Sequence, residues 1–532
     1  MRHRASSWLL RSSLALAGVS LLALTVSDEA AAQSGRELKV AVQQFTGEIT
    51  DPAHAGFGML VYQAPMFDYL VTLNEKREIV PGLAEKWSLA PDGITYTFNL
   101  RKGVKFHTGE EMTSEDVKFS IERLKGKTGV FIAPVLGALD SIQTPDPYTA
   151  VIKLKRPDPD FIGYLSPTDT TIGAIVPKKY IERVGDDEFA NKPVGTGLWK
   201  LVDRKKGSYF AYEAVPHPYR QKPAFDKLRI MLVPEESARV AMLQRGEADF
   251  GDINYDSAKR LKASGDQVYE VENAFSAFVS FIGVWEDRAK QKNLPQRMEN
   301  VNVRKALAMA IDRKELLDFM IDGRGQLAGS FLGFPGTFGH DADMEKKYQT
   351  PYDPAGAKKL LAEAGYPNGF KQKMFSMPLA GATWFPKAME VIADYWRKIG
   401  IDVELVQTEW GALNPIIYGR PDEGLGAVYD LRTSNTAFLV GKMNNYVVAT
   451  GKGQVANVNW DEEYAKLSAI TDPKAREAEF RKFMYKFNET YTLIPLFFAH
   501  ALFGANKNLE GWRPISGWPT FGLQYEYFKP KK

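Results

Sequence analysis

The sequence predicts an α/β protein organised in more than one lobe, and three observations carry that expectation. The chain has 532 residues and no cysteine. Without a leader it would hold roughly 500 residues, more than one hydrophobic core serves, and burial rather than disulfides must stabilise it. Its early part reads as turn-punctuated alternating strands, whereas its second half alternates capped helical stripes with short strands, the punctuation of α/β folds.

The elements follow in order. Arg2, Arg4 and Arg11 precede an apolar run from Leu14 to Val26 and then Ala30-Ala31-Ala32 before Gln33, the three-part layout of a secretory leader cleaved after Ala32. The run is shorter than the ~20 residues that span a bilayer. Leu38-Lys39-Val40-Ala41-Val42 reads as a first strand. In Trp87 to Leu100 a Pro91-Asp92-Gly93 turn separates two arms, and Tyr96, Phe98 and Leu100 alternate with Thr95, Thr97 and Asn99, which predicts a hairpin. Thr113-Ser114-Glu115-Asp116 is a helix cap followed by Val117, Ile121 and Leu124 at helical spacing. Ala150 to Leu154 reads as a strand, and Gly195-Thr196-Gly197 as backbone needing positive φ or close approach.

In the second half, Val303, Leu307, Ala310 and Ile311 share one helical face. Asp312 then caps a helix carrying Leu316, Leu317 and Met320, with Gly323 as its stop. Asp353-Pro354 starts another, with Leu360, Leu361 and Ala364 as its stripe and Gly365 as its end. A helix from about Pro386 to Lys398 leads into the alternating strand Ile401 to Val406. A last helix around Glu477–Thr490 precedes the apolar run Leu493–Phe498, which reads as a buried strand.

Composition excludes several classes. Lys plus Arg at 68 nearly balance Asp plus Glu at 65, so no electrostatic reason exists to expect nucleic acid or anionic lipid. A hydrolase would need a recognisable catalytic set, but neither H-E-x-x-H nor G-x-S-x-G is present and cysteine chemistry is impossible. The six histidines, His3, His54, His107, His217, His340 and His500, lack metal-ligand spacing, and His500 alone merits attention. No enzyme activity, cofactor or metal is expected. A chaperone-like protein is the remaining rival, and it predicts weak binding to many unfolded chains.

Five segments then occur in a telling order. They are Leu83 to Trp87 with the hairpin, Leu100 to His107 with Thr113 to Val117, Val194-Gly195-Thr196-Gly197, Val303 to Arg313, and Tyr352 to Tyr366. Together they resemble the peptide/opine/nickel family of ABC-importer solute-binding proteins, extracellular family 5. The resemblance implies a periplasmic-binding-protein-like type II fold, two α/β lobes with a mostly β subdomain inserted in the first. The implied layout is a leader at 1–32, the first lobe at 33–60, 191–277 and 490–532, the insert at 61–190, and the second lobe at 278–489. It also implies a monomer in the periplasm that closes its lobes on a small solute and delivers it to membrane permease subunits. Lacking cysteine, the chain is no lipoprotein.

The resemblance also directs attention to a ligand set. Peptide-binding relatives carry a D-x-x-D-P-like segment that supplies an acid to the peptide amine. Anchored here on Phe438-Leu439, that acid falls on Leu431. Asp430 serves only if the register slips by one, which in a strand turns the side chain to the other face. Arg432 instead suits a carboxylate or phosphate. Met377 to Trp384 holds no arginine where dipeptide-binding relatives present one, but Trp384 offers a stacking surface. Trp410 matches a family position, and Tyr62, Phe278 and Asn435 complete the candidates. A peptide, an opine-like conjugate, a sugar or a nickel chelate all remain open as ligand.

Overall fold

The computed structural model describes residues 35–532 except 46, 55–56, 126, 128–131, 168–170, 284–291, 294–296, 334, 378–381, 383, 420, 425, 435–442, 444–458 and 516–523. The predicted leader and Asn435 therefore lie outside the described residues.

After β1 (Glu37–Val42) the chain leaves for the insert. There β2 (Val71–Leu73) pairs with β3 (Ile79–Pro81). Strands β4 (Ala84–Leu89), β5 (Thr95–Leu100), β6 (Leu139–Asp146) and β7 (Thr149–Leu154) form an antiparallel sheet in the order β4-β5-β7-β6. The hairpin is fixed locally: Asp92 Oδ1 accepts the backbone N–H groups of Ile94 at 2.9 Å and Thr95 at 3.0 Å. Tyr96, Phe98 and Leu100 face the core, and the helix Ser114–Glu122 covers the sheet behind a capping box of Thr113 and Asp116.

The chain returns through β8 (Trp199–Lys205), β9 (Tyr209–Ala214), β10 (Lys227–Leu232) and β11 (Phe250–Ile253). Strands β10 and β11 flank β1 in parallel. Next comes the 15-residue β12 (Gln267–Phe281), and the second lobe follows with β13 (Gly325–Leu327), β14 (Phe370–Ser376), β15 (Ile401–Gln407) and β16 (Val428–Ser434). Strands β15 and β16 both run parallel to β14. The chain then crosses back along β17 (Leu493–Ala505) and ends in the pair β18 (Leu509–Glu510) and β19 (Lys529–Pro530). One sheet path, β15-β14-β16-β12-β17-β11-β1-β10-β9-β8, runs through both lobes, with β13 also paired to β17. The lobes are joined by β12 and β17, and the expected boundary between 277 and 278 falls inside β12.

Close backbone approach ties the insert to the first lobe. A Cβ on Gly195 would lie 2.1 Å from the Met66 carbonyl oxygen, and one on Gly197 would lie 2.3 Å from that of Pro65, so only glycine fits there. Thr196 between them donates its hydroxyl to Asp68 at 3.0 Å. Asp68 also pairs with Arg220 at 2.7 Å and His217 at 3.0 Å, and Arg220 reaches Glu526 at 2.7 Å. Burial alone would raise the Asp68 carboxyl, but Arg220, His217 and Thr196 outweigh it and hold the group well below the usual carboxylate range.

Candidate functional site

Strand direction locates the site. In the first lobe the parallel strands β1, β10 and β11 end at Val42, Leu232 and Ile253, and Ile253 stands opposite Leu502 of β17. In the second lobe β14, β15 and β16 end at Ser376, Gln407 and Ser434, and Ser434 stands opposite Phe275 of β12. On the crossing strands themselves, Glu270 pairs with Leu502 and Phe275 with Ala499. Both sets of carboxyl ends therefore point at the same short crossing from opposite sides, and open α/β sheets bind ligands in the crevice outside those ends.

The crossing is irregular where bending is needed. Between Val271 and Phe275 the β12–β17 register shifts, and Asn273 adopts φ 46°, a conformation asparagine tolerates. Polar groups from both lobes surround it. Glu270 accepts from His500 Nδ1 at 2.8 Å and from Arg324 Nη1 at 2.7 Å. Gln326 Nε2 donates to Asn273 Oδ1 at 3.3 Å, and Lys259 pairs with Asp322 at 2.9 Å. Partial burial would raise the Glu270 carboxyl, but His500 and Arg324 bring it below its usual range. This places His500, the histidine that stands out in the sequence, in a hydrogen bond to Glu270 at the crossing. Among the described residues no group of three or more His, Asp or Glu side chains is arranged to hold a metal ion.

Four predicted residues lie in or beside elements of the second lobe. Trp384 is 9% exposed and packs on Phe385, Phe497 and Phe275 with ring centroids 4.3, 5.2 and 6.2 Å away. Asp430 and Arg432 lie on β16 opposite Val279 and Ala277, with their side chains outside the described set. Trp410 opens the helix Trp410–Gly419, two residues beyond Thr408, whose N–H donates to the Ser376 carbonyl at 2.8 Å. Two candidates are core instead. Tyr62 stacks on Phe210 at 4.7 Å, Phe278 meets Phe331 edge-on at 5.7 Å, and neither has exposed surface.

Three further polar atoms stand out in the structure. Gln43 Oε1 just beyond β1, the Ser376 hydroxyl ending β14, and Trp384 Nε1 are buried without a hydrogen-bond partner among the described residues. Unmade bonds of this kind are costly in a finished core, and Gln43 and Ser376 stand at the carboxyl ends of β1 and β14. The rule that sites lie past strand ends would have selected Gln43 from the predicted first strand alone. By contrast, a groove of about 810 Å³ on the insert is lined by Glu111, Glu115, Asp116 and Asp146, and each of these acids already has a protein donor.

Comparison with known proteins agrees with this architecture. The profile of the bacterial extracellular solute-binding proteins, family 5 (middle), matches residues 78–461, more than half of the chain. The chain belongs to that family. Among family 5 relatives, Heme-binding protein A of Haemophilus influenzae is 34% identical over 359 residues, covering 63% of this chain and 62% of that relative, less than two thirds of its length. The dipeptide-binding protein of Escherichia coli is 28% identical over 428 residues, 74% of this chain and 75% of that one. A solved dipeptide binding protein from Pseudoalteromonas in complex with Met-Leu superposes with a TM-score of 0.81 at 21% identity, over 93% of this chain and all of that one. As a family 5 member this chain is a substrate-binding protein of the ABC-importer type. Among the described residues no helix is long and apolar enough to cross a membrane.

Proposed function

We propose that the chain is exported to the periplasm with its leader cleaved after Ala32, acts as a monomer, and captures a small amino-acid-derived solute between its lobes for membrane permease subunits. It binds its solute without turning it over. The observation that carries this reading is the convergence of both lobes' parallel-strand ends on one irregular two-strand crossing. Such a crossing is a hinge, and a ligand touching both lobes favours the closed state by its differential affinity. Asp430, Arg432, Trp384, Trp410 and Asn435 would hold the solute from the second lobe, with Gln43 opposing them from the first.

The ligand class follows from the family and from Leu431, which stands where an amine-binding acid is expected. Arg432 next to it favours a ligand with a carboxylate or phosphate facing the second lobe, as in an opine-like conjugate or a peptide bound by its acid end. A thermal-shift screen of the mature protein should use Met-Leu, longer peptides, opine-type conjugates, oligosaccharides, a nickel–histidine chelate and hemin. Selective binding to the native state raises the melting temperature, whereas weak, indiscriminate shifts would favour the chaperone-like reading. Replacing Arg432 by Ala removes a charge-assisted bond of about 1.5–3 kcal/mol. Affinity for an anionic hit should fall roughly tenfold or more, with little change for a neutral one; equal losses for both would remove Arg432 from the site.

A further inference from the structure

The first lobe and the insert form one body, held by the glycine contacts and the Asp68–Arg220–Glu526 network. The second lobe joins that body through β12 and β17. Any other contact between the insert and the second lobe must part when the cleft opens and form again when it shuts. One such contact is deeply enclosed. Arg476, in the helix Pro473–Asn488, donates Nη1 to Asp160 Oδ1 at 2.9 Å, with the two side chains 11% and 6% exposed.

The surroundings are built around this pair. The Arg476 guanidinium lies over the Phe338 ring at 5.2 Å, and its Nε is buried without a hydrogen-bond partner among the described residues. Asp158 stands beside Asp160, accepting the Asp160 N–H at 3.1 Å. Burial first, and then the Asp160 charge, push the Asp158 carboxyl up to about 6. The Pro-Asp-Gly turn lies against the segment just ahead of the same helix: a Cβ on Gly93 would lie 3.8 Å from Thr471 Cγ2. None of the partners named here lies on β12 or β17.

We infer that Asp160 and Arg476 form a closure latch, an ion pair made only when the insert meets the second lobe, which sets how much of the chain is closed whatever the ligand. This rests on the lobe-closure reading above. Physical chemistry suits the pair to the task. Dehydrating two charges nearly cancels their attraction, so an intact pair opens and closes reversibly, whereas a lone buried charge makes closing costly. The closed fraction multiplies the affinity for every solute by the same factor, so the latch acts on binding strength without choosing the ligand.

The absence of cysteine makes the test direct. Spin labels at Lys86→Cys on the insert and Lys359→Cys on the second lobe, both exposed, report the interlobe distance by pulsed electron resonance, with and without Met-Leu as probe. In the ligand-free protein, Arg476→Gln and Asp160→Asn should each reduce the short-distance population about tenfold or more. The double variant, in which neither partner's charge is stranded by loss of the other, should regain part of it. If Arg476→Gln does not fold, Asp160→Asn, which keeps the side-chain volume, gives the same reading. Single variants whose distances superimpose on a parent that itself shows two populations would overturn the latch and leave closure intact. A parent with one fixed distance under all conditions, including a confirmed binder at saturation, would overturn closure and the latch with it.

Discussion

Two junctions hold this molecule together, and they are built differently. Where the insert meets the first lobe, Asp68 is enclosed with Arg220, His217 and Thr196, and glycine backbones touch at distances no side chain permits. Where the second lobe meets the first, the ion pairs are half-exposed: Arg324 and Glu270 are 35% and 28% exposed, Lys259 and Asp322 more so. The strand between them is out of register at Glu272–Ala274. A dry network with every charge matched is costly to disturb and therefore rigid. Wet pairs exchange their partners for water at little cost, as a moving joint requires. The difference assigns motion to one junction and permanence to the other.

The sharpest way to break that contrast is at the permanent junction. Asp68→Ala leaves Arg220 with Glu526 alone and His217 without its acid partner, in a largely buried site. Chemical unfolding should show a loss of about 3–5 kcal/mol, far more than any single hinge substitution. A loss below about 1 kcal/mol would mean that the network is as replaceable as the hinge pairs, and the contrast would fail.

Protons test the same junction more gently. His107 donates Nε2–H to the Gly197 carbonyl at 2.8 Å and accepts the Gly195 N–H on Nδ1 at 3.4 Å, so it sits there neutral. Burial lowers it to about 4. Because an unfolded histidine protonates near 6.5, the unfolded state takes up a proton first as pH falls, and the stability His107 contributes is lost between about pH 6.5 and 4. The whole effect is roughly 3 kcal/mol or less. The Asp68 share is lost only below the unfolded carboxylate value near 4, since its folded-state value lies lower still. Glu345, pushed up to about 7 by burial, works in the opposite sense over the window of His107. The decisive measurement is therefore the difference between parent and His107→Gln unfolding across pH 7 to 4.5. The parent should lose more stability over that range, and parallel curves would show that His107 is not the sensor.

The two junctions also differ in how far the sequence announces them. Local chemistry was readable: Asp312 accepts from Glu315 N–H at 2.9 Å, Asp353 from Gly356 N–H at 2.8 Å, and Asp92 holds its turn as the residue types implied. Gly195-Thr196-Gly197 announced close backbone approach without naming the partner, because Met66 lies more than a hundred residues away. Asp68 and Glu526 are joined through Arg220 across 152 and 306 residues, which no local pattern reveals. The crossing strands are the least visible elements in the sequence. The apolar run at Leu493–Phe498 reads as one buried strand, but β17 continues to Ala505, and no clear periodicity marks β12. Both pass from one lobe to the other within a single sheet path, so their burial pattern follows neither lobe's period. Of the candidate site, Trp384 was legible as an aromatic of double meaning. Tyr62 and Phe278 proved to be core because their neighbours Phe210 and Phe331 come from distant segments.

The smallest stability effect is expected at the hinge, and it is the most informative about motion. Arg324→Ala removes the Glu270 pair while His500 still donates to the same carboxylate. A half-exposed pair of this kind contributes less than about 1 kcal/mol, so the unfolding midpoint should scarcely move. The pair does, however, connect the second lobe's β13 region to a strand leaving the first lobe, on the two sides of the irregular Asn273. Its removal loosens the angle between the bodies without touching either core. Interlobe distances from the spin-label pair should broaden in Arg324→Ala while retaining both populations, whereas loss of the Asp160–Arg476 pair shifts weight between populations of unchanged width. A hinge variant that shifted weight instead, or that cost as much stability as Asp68→Ala, would show that the wet pairs hold the closed state themselves and that the division between a moving and a permanent junction is misplaced.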